Sequence, residues 1–91
     1  MNINNINKAI VYGWIIVDLS ESNVLSWEEK YDAVFHISKK LREIGFEIDY
    51  CDPDTSYEDD VLALSRAASK HLIDWQEIAS VKGIVALEEV L

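Results

Sequence analysis

Residues 26–45 narrow what this chain can fold into more than any other stretch, because every signal that a helix needs occurs there in order. Ser26 and Glu29 have the spacing of a capping box. The serine oxygen accepts from the third helical amide, and the glutamate reaches back to the serine amide. Trp27, Tyr31, Val34, Phe35, Ile37, Leu41 and Ile44 recur in steps of three and four, which puts most of them on one broad face. Glu28, Glu29 and Asp32 stand near the start, and Lys39, Lys40 and Arg42 near the end, a polarity that opposes the helix macrodipole. Gly45 follows Ile44 and can take the left-handed conformation that closes a helix. The spacing predicts one helix of about five turns, a scaffold element with Trp27, Tyr31, Phe35 and Leu41 buried against a sheet.

The segments on either side are less one-sided. Residues 1–8 are rich in asparagine (Asn2, Asn4, Asn5, Asn7) and read as a mobile start or an irregular lead-in. Residues 10–19, IVYGWIIVDL, form a short apolar run rich in β-branched and aromatic side chains, which favours a buried strand. Gly13 costs a helix about 1 kcal/mol relative to alanine, whereas in a strand it marks a bulge or a close backbone approach. A helix over residues 5–19 is the alternative. Residues 20–25 read as a loop.

After Gly45, residues 46–51 alternate Phe46, Ile48 and Tyr50 with Glu47 and Asp49, a period of two that signals a strand. Asp52-Pro53-Asp54 breaks it as a turn. A second helix starts near Thr55 or Ser56, with Thr55 and Glu58 at capping-box spacing. Tyr57, Val61, Leu64, Ala68, Leu72 and Trp75 form its apolar stripe, and Glu58, Asp59 and Asp60 load its first turn. It ends near Leu72 or runs on through Ile78 and Ala79. Residues 83–91 read as a strand, with a terminal helix as the alternative. Strand, helix, strand, helix, strand makes a small two-layer α/β or α+β domain: about three strands in β-α-β-α-β order, with two main helices on one face. The whole of 1–91 is read as a single domain.

Charge is the strongest compositional signal. Seventeen acids face eight bases, for a formal net charge of −9. A field of that sign repels nucleic acid and anionic membranes, so direct binding to either is not expected. The apolar run 9–17 is far shorter than the ~20 residues that cross a bilayer, and no signal-peptide cleavage site follows it. Cys51 is the one cysteine, so neither an internal disulfide nor a four-cysteine zinc site can form within the chain. A reducing, cytoplasmic setting fits that usage.

No motif for chemistry stands out. His36 and His71 have no nucleophile or carboxylate placed by spacing to make a catalytic dyad, and both read as boundary residues between core and surface. The three glycines form no phosphate loop, and no cofactor is expected. The densest feature is acidic: Asp49, Asp52, Asp54, Glu58, Asp59 and Asp60 fall close together with no base among them. The leading expectation is therefore a non-enzymatic protein–protein interaction module, an inhibitor or immunity-type protein. It would occupy a basic surface of a partner such as a nuclease or another nucleic-acid-handling protein. The partner-binding candidates are Asp52, Asp54, Glu58, Asp59 and Asp60, extended by Glu21, Glu28 and Asp32 if the start of the first helix lies nearby. A rival expectation is a structural or accessory homo-oligomeric subunit, a homodimer for example, acting through apolar surface that includes Trp14 and Trp75. A third is a divalent-cation site, either in the acidic segment Asp49, Asp52, Asp54, Glu58, Asp59 and Asp60 or with Asp18 and Asp49 brought together at the C-terminal edge of the expected sheet.

Overall fold

The computed structural model describes residues 5–48 and 56–82, and in them the chain forms three helices: α1 (Ile6–Ser20), α2 (Trp27–Glu43) and α3 (Tyr57–Lys82). The α/β expectation is wrong. No strand occurs among the described residues, which form an all-helical bundle of three. The first expected strand, 10–19, lies inside α1. Of the second, Phe46, Glu47 and Ile48 are neither helix nor strand, and 49–51 lie outside the described residues, as does 83–91.

Why α1 is a helix is visible in what surrounds it. Ile6, Ala9, Ile10, Val11 and Ile16 are all buried, while Tyr12, Trp14, Val17 and Leu19 are packed partly into the same core. A helix apolar around most of its circumference is one enclosed by its neighbours, and α1 packs against both α2 and α3. A continuous apolar run is equally the signature of a buried strand, so periodicity alone could not decide. Gly13, which argued against a helix, is there for a packing reason. Leu72 of α3 lies over it, with Cδ2 2.7 Å from where a β-carbon would stand. Within the opening expected to be mobile or irregular, residues 6–8 instead form the first turn of α1, anchored by Ile6, which is fully buried; residues 1–4 lie outside the described residues.

The expectations for the start and stop of α2 hold. Glu29 N–H donates to Ser26 Oγ at 3.1 Å, and Ser26 N–H donates to Glu29 Oε1 at 2.9 Å, completing the capping box. The bond holds the Glu29 carboxyl below its ordinary value of 4.5. At the other end Gly45 has φ +93°; its N–H donates to Arg42 O at 3.0 Å, and Phe46 N–H donates to Leu41 O at 2.9 Å. Those two bonds are a Schellman closure, and the apolar contact that accompanies it is made by Phe46 and Leu41, both in the core. The closure turns Phe46 inward, edge-on to Trp75 at 5.6 Å and 83°.

The buried face of α2 differs from the expected one. Val34 and Leu41 are fully buried, but Phe35 is 39% exposed, and Lys30 is only 6% exposed. Trp27, Lys30, Val34, Ile37 and Leu41 are spaced by threes and fours, so the lysine falls on the core stripe. In α3 the stripe Val61, Leu64, Ala68, Leu72 and Trp75 is buried as expected and continues to Ala79; Tyr57 is 47% exposed. The helix runs on through 82 without a break at Leu72.

Cross-helix contacts fix the directions. Ser20 meets Ser65, and Gly13 meets Leu72, so α1 and α3 are antiparallel. Lys30 reaches Ser20, and Asn5 reaches Ile44, so α1 and α2 are antiparallel too. Tyr31 meets Tyr57, and Phe46 meets Trp75, so α2 and α3 run in the same direction and start at the same end of the bundle.

Candidate interaction surface

The parallel course of α2 and α3 decides where charge goes. Each helix carries acids in its first turn: Glu28 and Glu29 in α2; Glu58, Asp59 and Asp60 in α3. Carboxylates there oppose the positive end of the macrodipole, which is the local reason for them. Because both helices start together, two local preferences become one acidic end. Asp18 and Glu21 add to it from the close of α1, and Asp32 from the second turn of α2. Lys39, Lys40 and Arg42 are carried to the opposite end by the length of α2.

Lys30 is a base built into the acidic end and turned inward, while Arg66, next to Ser65 on α3, is exposed. The Lys30 Nζ donates to Ser20 O at 3.1 Å and sits 4.0 Å from the centroid of the Trp27 ring. The last turn of α1 holds no basic residue of its own. Lys30 therefore supplies, from α2, the cation that the negative end of α1 calls for. Ser20 Oγ lies 2.7 Å from Val17 O and 2.9 Å from Ser65 Oγ. With one hydrogen per hydroxyl, Ser20 donates to the carbonyl and accepts from Ser65. The lysine, both hydroxyls and the carbonyls thus form a satisfied polar joint where three helices meet.

Of the expected partner-binding residues, Glu58 and Asp59 are exposed, and Asp60 is half-buried, on the first turn of α3; Glu21, Glu28 and Asp32 are exposed. Asp52 and Asp54 lie outside the described residues. The cap of α3 is Ser56, whose Oγ accepts from Asp59 N–H at 3.1 Å; Thr55, expected to share that task with Glu58, is outside the described residues. The condition set for extending the patch was nearness of the two helix starts. The Tyr31–Tyr57 ring contact, at 5.1 Å, meets it for Glu28, one helical turn before Tyr31, and for Asp32, next to it in sequence.

Three rings accompany these acids. Phe35 stacks on Tyr31 at 5.7 Å with planes 12° apart, and Tyr31 meets Tyr57 tilted by 50°. Lys39 Nζ lies 5.6 Å from the Phe35 centroid. The row Phe35–Tyr31–Tyr57 runs from the middle of α2 to the start of α3, with Phe35 and Tyr57 exposed at its two ends. The four-residue step from Tyr31 to Phe35 is the sequence signal for this pair; its use as core spacing hid it.

Other expected features resolve differently. Trp75 belongs to the core at 4% exposure, with His71 stacked on it at 5.4 Å, while His36 is exposed on α2. Trp14 lines an open groove of about 390 Å³ between α1 and α3, with Val17, Asp18, Ser69, Leu72, Ile73 and Gln76. Ile73 is 67% exposed there. Among the described residues there is no sheet edge to bring Asp18 to Asp49: Asp18 is on the surface of α1, and Asp49 is outside the described residues. Among the described residues no three of His, Cys, Asp or Glu gather as metal ligands, and no helix is long and apolar enough to cross a membrane.

Compared with known protein families, curated proteins and solved structures, the chain has no match.

Proposed function

We propose that this protein is a small interaction module that seats its acidic end on a basic surface of another protein, as an inhibitor or immunity-type protein does. The observation that carries this is the shared starting end of α2 and α3, which gathers exposed carboxylates from separate parts of the sequence while the one lysine among them is engaged internally. A nuclease or another nucleic-acid-handling protein is the favoured partner class, because its substrate groove is already positive and carboxylates at a rigid helix start can stand in for phosphates. The test is kinetic. A partner recovered from the native host is combined with the wild-type chain and with a triple variant, Glu28→Gln/Asp32→Asn/Glu58→Gln. Association should slow with added salt and fall about tenfold in the variant, as expected for electrostatically steered encounter, with helicity retained. An unchanged rate would remove the acidic surface from the account.

A second reading has its own observation, the groove holding Trp14 and exposed Ile73. On that reading the chain is an accessory subunit that associates through apolar surface. Sizing at several concentrations separates the two: a salt-resistant dimer abolished by Ile73→Asp supports the groove, and a monomer throughout supports the acidic end.

A further inference from the structure

We propose that the Phe35–Tyr31–Tyr57 row is an arginine-reading surface, the place where a guanidinium from the basic partner stacks; this rests on the acidic-end function above. An acidic end alone attracts any cation, lysine and arginine alike. What separates the two is a flat aromatic face next to a carboxylate. A guanidinium is planar and weakly hydrated, so it can stack on a ring while its edge donates two parallel hydrogen bonds to a carboxylate; an ammonium is compact, strongly hydrated and does neither as well. The rings are contiguous at 5.7 and 5.1 Å, and each exposed end of the row has charge beside it. At the Phe35 end the cation is the protein's own, Lys39 at 5.6 Å, which shows that a side-chain cation fits over this row. At the other end Tyr57 is the more exposed ring, and Glu58 follows it in sequence on the first turn of α3. The geometry therefore supplies Tyr57 as a stacking face at the end of the row, and the carboxylates beside the row come from α2, where Glu28 and Asp32 stand one helical turn before Tyr31 and Phe35 on the same face. Tyrosine is also among the residues that interface anchors favour, and arginine is the enriched cation.

The experiment uses two probes of equal length and charge, nona-arginine and nona-lysine, titrated into the full chain by calorimetry at low salt. The wild type should bind the arginine peptide about threefold or more tightly than the lysine peptide, the size expected of an exposed cation–π contact. Tyr57→Ala should erase that difference, the larger loss falling on the arginine peptide; Tyr57→Phe, which keeps the ring, should preserve it. Circular dichroism of each variant confirms that the helices remain. Equal affinity for the two peptides in the wild type, or an arginine preference that survives Tyr57→Ala, overturns the arginine reading and leaves the acidic end standing. Binding of neither peptide overturns both.

Discussion

A β-carbon on Gly13 would stand 2.7 Å from Leu72 Cδ2 and 2.9 Å from Leu72 Cγ, closer than carbon atoms tolerate. The contact sits where α1 and α3 cross, and Leu72 is itself buried in the core. Gly13→Ala should therefore destabilise the domain by about 1–2 kcal/mol, the overpacking cost outweighing the helix-propensity gain. The check is a double-mutant cycle by urea unfolding. Leu72→Ala alone should cost about 2–5 kcal/mol. In that background Gly13→Ala should become stabilising, because the obstruction is gone and only the propensity gain remains.

Gly45 is constrained by conformation instead of space. Nothing lies within 4 Å of a β-carbon built there, yet φ is +93°. Gly45→Ala should cost about 1 kcal/mol, and Gly45→Asn less, since asparagine tolerates the left-handed region. The two are ranked by thermal or denaturant unfolding; equal stability of alanine and glycine there would contradict the strained turn.

Lys30→Met keeps an apolar stem of similar length on the core stripe but removes the donor to Ser20 O and the cation over Trp27. A loss of about 1–3 kcal/mol is expected. High salt should change the difference little, because a contact buried this deeply is poorly screened. A difference that vanished in salt would show the lysine to be solvated.

Acid should act on the start of α2 through Glu29. The Ser26 amide, and then the Ser26 hydroxyl, hold its carboxyl below the ordinary value. A depressed folded-state value gives stability that is present above the unfolded value and is lost as pH falls through the folded one. The capping contribution should thus be intact at neutral pH and disappear below the usual carboxylate range. In an NMR titration Ser26→Ala, which removes the hydroxyl and keeps the amide, should move the Glu29 midpoint only part of the way up toward the ordinary value; a midpoint that stayed put would show that the hydroxyl plays no part.

Much of this molecule was legible from residue spacing, and the parts that were not share one cause. Ser26, Glu29 and Gly45 announce both ends of α2, and Val61 to Trp75 announce the buried stripe of α3, since each of these is settled within a turn or two of backbone. Gly13 was misread because its reason, Leu72, lies on another helix, and an enclosed helix shows the same unbroken apolar run as an enclosed strand. Phe46 alternated with its neighbours like a strand residue, but its inward turn comes from the Gly45 closure and from Trp75. Lys30 does not figure in the expected stripe, because its burial depends on where α1 ends and on the Ser20 carbonyl it meets there. For the candidate surface, the acids of each helix start were readable one helix at a time. Their gathering was not, because no local pattern states that two helices separated by a long connection point the same way.

That shared direction has a consequence for how the molecule moves before it touches anything. Carboxylates crowd one end of a body 39 Å long and 25 by 20 Å across, while Lys39, Lys40 and Arg42 sit toward the other. Such a particle feels a torque in the field of a basic partner as well as a pull. It turns its acidic end forward while still separated by solvent, so the angular search for the docked pose is shortened before contact begins.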